Sequence, residues 1–156
     1  KLSLAVGLGV SATKYFLDFL VFSRFVAATL SQWRQVPLFL RLPIPFQQGI
    51  GDEIIYRLFL MTVIIWSIVK VAGRIRRSGD EPPGDAIYRA GILAAGLLSI
   101  LGILFTVPSL QVKLQYAVLV LAGAIPFGWL YWKRGIESAL VAHLISSVAL
   151  VLLSLG

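Results

Sequence analysis

Long apolar stretches separated by short polar breaks run the length of the chain. Stretches at 2–30, 50–71, 86–107, 114–132 and 136–155 each approach or exceed the roughly 20 residues that an α-helix needs to cross a bilayer core. They predict an all-α polytopic membrane protein with about five transmembrane helices in a single domain covering 1–156. Within that domain, 1–49 reads as an N-terminal span followed by a proline-rich interfacial segment, and 50–156 as the core of the bundle. Two breaks set these limits. The stretch 73–84, GRIRRSGDEPPG, mixes bases with Ser, Gly and a Pro-Pro pair and predicts a loop. The stretch 37–45 holds Pro37, Pro43 and Pro45 and is expected to run along the interface ahead of the second span.

Composition supports the same solvent. Of the 156 residues 58% are hydrophobic and 13% charged, whereas a soluble domain carries about 25% charged residues. With no cysteine, disulfides, thiolate metal sites and a cysteine nucleophile are excluded, and with one histidine so is a three-histidine metal site within this chain. The formal charge of +7 is spread among the spans and does not line one soluble face, which points away from nucleic acid. Counted beside the spans, one set of loop ends holds Lys1, Lys70, Arg74, Arg76, Arg77, Arg89, Lys133 and Arg134, and the other only Arg34, Arg41 and Lys113. Positive charge concentrates on the cytoplasmic side of membranes, so the 73–84 loop is expected in the cytoplasm, with a prokaryotic-type inner membrane as the expected location. Trp129, Tyr131 and Trp132, just before Lys133 and Arg134, fit an interfacial aromatic belt. The glycines at 7, 9, 96, 102, 123 and 128 suit close helix packing in lipid.

Ionisable residues inside spans are costly and therefore candidates for function. Asp52, Glu53 and Arg57 open the second predicted span. Glu53 and Arg57 are four residues apart and share a helix face, while Asp52 is turned about 100° from Glu53. One carboxylate can pair with the arginine while the other faces a cavity, an arrangement suited to activating water. The plainer reading is a polar network at a helix start. His143 and Ser147 share a face of the last span. There the imidazole acts in a wet cavity or hydrogen-bonds a neighbouring helix. Lys14, Asp18 and Arg24 form a polar stripe in the first span, read as ion pairing and snorkelling, with Lys14 and Asp18 able to pair.

In order and spacing these residues resemble the CPBP intramembrane proteases, the Abi-like family of CAAX prenyl endopeptidases and bacteriocin-processing enzymes. The family's Glu-Glu-x-x-x-Arg stands here as Asp52-Glu53-Ile54-Ile55-Tyr56-Arg57, and its last motif, His-x-x-x-Asn/Asp, as His143-Leu144-Ile145-Ser146-Ser147. The linking stretch from Phe127 to Ala139, FGWLYWKRGIESA, is also similar. The resemblance, over about 50–150, implies the family's helical bundle, with Asp52 as base, Glu53 as its carboxylate neighbour, Arg57 as organiser, and His143 with Ser147 on the oxyanion side. The family's middle motif, Phe-x-x-x-His, departs. Thr106 or Ser109 stands at the histidine position, depending on whether Pro108 or Phe105 anchors the register.

The expectation is a catalytically degenerate homologue that acts as a binding or scaffolding subunit in a membrane complex, with the lipid bilayer and other membrane proteins or a peptide as partners. The alternative is an active endopeptidase in which Asp52 or Glu53 activates water with His143 as the sole imidazole. No cofactor is expected. A divalent metal ion enters only in that alternative, held by Asp52, Glu53 and His143. A transporter or channel subunit, suggested by the Lys14, Asp18 and Arg24 stripe, is a third class, disfavoured by the lack of an internal repeat.

Overall fold

The computed structural model describes residues 1–23, 35–76, 84–106 and 109–153, and every regular element among them is helical. Helix α1 (Leu2–Phe16) widens into a π-helical turn, Leu17–Val21. Helices α2 (Leu38–Arg41) and α3 (Pro43–Asp52) lead into a nine-residue π-helical segment, Glu53–Met61, which continues as α4 (Thr62–Arg76). Three long helices follow: α5 (Asp85–Thr106), α6 (Leu110–Arg134) and α7 (Ile136–Leu153). Among the described residues four runs are long and apolar enough to cross a membrane: Leu2–Val21, Leu38–Val71, Leu110–Arg134 and Ile136–Leu153. The remaining expected span, 86–107, is α5, helical over 22 residues, about 33 Å at 1.5 Å per residue. The chain is an integral membrane protein.

Two expectations need correction. The 37–45 stretch is largely helical, because Pro43 and Pro45 fall in the first turn of α3, where a missing N–H leaves no helix bond unmade. Asp52 and Glu53 therefore lie not at a helix start but near the middle of the 34-residue run Leu38–Val71. Similarly, α4 carries helix through Arg76, into the segment expected to be loop. Residues 77–83 of that loop, along with Arg24 and Arg34, lie outside the described residues.

Along the second run, Arg41, Pro45, Gly49, Glu53, Arg57 and Met61 are all buried, a strict spacing of four. An α-helix drifts about 40° at every fourth residue, so a face repeating every four would soon rotate out of the core. The π-helical segment, with its wider i→i+5 turns, slows that drift and keeps Glu53, Arg57 and Met61 inward.

Helix α1 lies along α7 and also touches α6, while α5 packs on α6, and α6 on α7. The α1–α7 crossing is close at Gly7, where an added Cβ would lie 2.5 Å from the carbonyl oxygen of Ala142. Gly135, at φ 87°, ends α6 and lets α7 begin at the next residue. The sharp return this allows requires a left-handed conformation that favours glycine. Val10, Phe127, Leu130, Ala139 and Ala142 fill the junction of α1, α6 and α7. A second cluster of Met61, Ile92 and Ala95 joins the π-helical segment to α5. In lipid such contacts stabilise through close packing, since the tails outside are equally apolar. At one end of the bundle Trp132 stacks on Tyr88 at 4.9 Å between ring centroids. Lys133 Nζ sits 3.5 Å above the same indole and 3.9 Å from Asp85.

Gly7→Leu is expected to drive α1 off α7 and lower stability by about 1–3 kcal/mol, the usual cost of overpacking. Gly9→Leu is the control, since an added Cβ at that position meets nothing within 4 Å. Thermal unfolding in detergent micelles compares the two.

Candidate functional site

Among the described residues Glu53 is the most deeply placed charge, 1% exposed. Its Oε1 lies 2.8 Å from His143 Nδ1, joining residues 90 apart in sequence, and 3.5 Å from an Arg57 guanidinium nitrogen one turn along its own segment. Arg57 and His143 are themselves buried. Phe127, from α6, lies between them: its ring stacks on the imidazole at 4.8 Å, and the Arg57 guanidinium carbon is 5.9 Å from its centroid. One carboxylate, one guanidinium, one imidazole and one aromatic ring thus form a single cluster. The arginine supplies counter-charge, and the ring lends its electron-rich face to the cation. Glu53 Oε2 and the buried Ser146 Oγ find no hydrogen-bond partner among the described residues, so this cluster does not fully satisfy its own polar groups.

Beside it opens a cavity of about 500 Å³, with Asp52, Arg57, His143 and Ser147 in its walls. The division of labour between the carboxylates is physical. Glu53 is committed to His143 and Arg57, whereas Asp52, one residue earlier and only part-buried, faces the cavity within electrostatic reach of both. With its first nitrogen on Glu53, His143 has Nε2 left for whatever enters.

The polar stripe of α1 reaches the same cavity. Lys14 and Asp18 both line it, but they do not pair with each other. Asp18 Oδ1 accepts a hydrogen bond from Gln115 Nε2 of α6 at 3.0 Å. Lys14 Nζ rests against the bare backbone of Gly123.

Helix α5, where the missing imidazole of the resemblance would be sought, presents Ser99 to the cavity. Its hydroxyl donates to the carbonyls of Ala95 and Gly96 within its own helix, at 3.0 and 2.7 Å. Ser109 is exposed at the start of α6, away from the cavity wall. Thr106 ends α5, and its side chain lies outside the described residues. Ser99 was not singled out by sequence reasoning, and Phe127 entered only as the first residue of the linking stretch. A lone serine amid the apolar residues of 90–105 was the available signal for the first. The resemblance marked Phe127 as part of that stretch, and the fold gave it a place against His143 and Arg57.

The metal alternative does not fit. Among the described residues no group of three or more carboxylate or imidazole side chains gathers to hold an ion, so Asp52, Glu53 and His143 are not a ligand set. Glu53 Oε1 already points at imidazole and guanidinium, and Asp52, one residue earlier, faces the cavity.

The fold and this cluster define a helical membrane protein with a polar site enclosed by its own spans. A family model, type II CAAX prenyl endopeptidase Rce1-like, matches residues 33–149. The chain belongs to that family, and α1 lies outside the matched segment. No curated protein and no solved structure matches the chain.

Removing the carboxylate by Glu53→Leu strands a buried guanidinium, with an expected loss of about 3 kcal/mol of stability. Glu53→Gln keeps an acceptor for His143 and should cost about 1 kcal/mol. Unfolding titrations in mixed micelles would resolve the difference.

Proposed function

We propose that this chain is a non-hydrolytic member of its family whose bundle cavity holds a segment of a partner membrane protein. The observation that supports this reading is the commitment of the only imidazole. His143 is the single histidine of the chain, its Nδ1 is engaged by Glu53 and its face by Phe127. Among the described residues, α5 contributes Ser99 and no imidazole to the cavity wall. A hydroxyl cannot take up a proton near neutral pH as imidazole does. Where catalytic groups act as a unit, losing one removes most of the rate. What persists is a lined cavity with fixed polar groups, which is sufficient for binding.

A second reading, hydrolysis, is favoured by one observation: Asp52 and His143 line the same cavity. A water between them would give a proton to the Asp52 carboxylate as its oxygen attacks a peptide carbonyl, and His143 would steady the oxygen that becomes negative. Collapse of the tetrahedral species would then break the C–N bond as Asp52 passes that proton to the leaving amine.

Incubating the full-length protein in lipid with native membrane proteins, and reading new N-termini by mass spectrometry, separates the two. The binding reading expects no cleavage beyond that of an Asp52→Asn/Glu53→Gln double variant. Cleavage present in the parent and lost in the variant establishes the hydrolytic one. For topology, the charge asymmetry supports a cytoplasmic 73–84 loop. In this cysteine-free chain, Ser78→Cys is expected to react with a membrane-impermeant maleimide only from the cytoplasmic face.

A further inference from the structure

The cavity occupies one half of the bundle. Lys14 meets Gly123 and Asp18 meets Gln115, so α1 and α6 run in opposite directions. Gly96 meets Ala124 and Gly128 meets Ile92, so α5 and α6 do the same. At one end of the bundle, therefore, α4 finishes, α5 begins and α6 turns into α7, and the 73–84 segment belongs to this end. At the other end α1 and α7 finish and α3 and α6 begin.

Toward the loop end the interior is filled. Val10, Leu130, Ala139 and Ala142 pack together, none more than 4% exposed. Met61, Ile92 and Ala95 close the side between the π-helical segment and α5. Arg57, Phe127 and His143 rest on this packing as the floor of the cavity. From the floor the walls lead only to the opposite end. The second run presents Tyr56, Asp52, Gln48 and Ile44, every fourth residue, and α7 presents Ser147 and Leu150. Exposure rises in the same direction: Arg57 and His143 are buried, Lys14, Asp52 and Ser147 part-buried, and Gln48 and Tyr116 exposed.

Size and polarity narrow the occupant. A spanning helix, about 10 Å across and 30 Å long, fills about 2000 Å³, and the cavity holds about 500 Å³. A few residues of non-helical chain fit instead. Their free N–H and C=O groups are excluded by lipid but satisfied by water or by polar walls, and Gln48, Asp52 and Ser147 supply such walls.

Resting on the binding reading above, we propose that the cavity is entered by water from the end of the bundle opposite the 73–84 loop, and that the partner's segment enters there as a few residues of extended chain.

The chain has no cysteine, so single introduced thiols report access without background. In sealed membrane vesicles of the two opposite orientations, Ser78→Cys of the full-length protein identifies the loop face by its reaction with a membrane-impermeant methanethiosulfonate. Gln48→Cys at the mouth and Ser147→Cys in the wall are expected to react from the other face and lose all reaction from the loop face. Ser99→Cys, nearer the floor, should react more slowly from that same face. Leu97→Cys, on the 56% exposed outer side of α5, should react from neither, because a thiol in apolar surroundings does not ionise. A thiol-reactive Gly-Ser tetrapeptide should also modify Ser147→Cys from the face opposite the loop. Complete reaction after detergent solubilisation verifies that each thiol is present.

Reaction of Ser147→Cys from the loop face, from both faces or from neither overturns the entry route and leaves the binding reading untouched. Reaction with the methanethiosulfonate but not with the tetrapeptide keeps the water route and overturns the entry of extended chain, and the binding reading with it.

Discussion

The 2.8 Å contact between Glu53 and His143 is the constraint on which the arrangement of this bundle depends. It ties the second membrane run to the last helix. A carboxylate buried to this degree in an apolar surrounding is tolerable only with a counter-charge and hydrogen-bond donors. Arg57 supplies the first and His143 the second. The requirement propagates outward. Arg57 must stay on the face of Glu53, and the π-helical turns of Glu53–Met61 maintain that alignment. Phe127 must fill the space between guanidinium and imidazole, which fixes the rotation of α6.

Around this cluster the bundle is built for closeness. Gly7 brings α1 onto α7, and Gly135 folds α7 back beside α6 with no intervening loop. Close approach matters because lipid offers no hydrophobic gain for bringing apolar helices together. The outer surface accordingly carries large exposed apolar side chains such as Phe59, Trp66 and Phe105, while polar groups concentrate on the cavity. That separation lets a chain with so few charges devote several of them to one internal site.

Membership of a family of endopeptidases sets the fold and leaves the chemistry to particular side chains. In this chain the carboxylates have separate roles: Glu53 is structural to the cluster, and Asp52 is presented to the cavity. The single imidazole is shared between both tasks, bonded to Glu53 while lining the cavity. Helix α1, outside the matched segment, adds Lys14 and Asp18 to the wall and makes the cavity more polar than the matched segment alone would.

Local periodicity was enough to read the spans at 114–132 and 136–155 and the Glu53–Arg57 pairing, because those depend on hydropathy and on the i,i+4 geometry of a helix. The different fates of Asp52 and Glu53 follow equally from the 100° turn between neighbours, once one side of the helix is known to be buried. Other features had no local signature. Pro43 and Pro45 read as breakers, and only their position in the first turn of α3 made them compatible with helix. Lys14 and Asp18 read as a pair by spacing, yet no ion pair within 4 Å joins them, and Asp18 accepts its hydrogen bond from Gln115 of α6. That His143 would meet Glu53 and that Phe127 would stand between imidazole and guanidinium was decided by the packing of α6 and α7 against the second run. The sequence determined which segments are helical and which charges must be sheltered, because hydration and helix geometry act residue by residue. Which charges shelter one another is a property of distances between helices, and only the tertiary structure decides those.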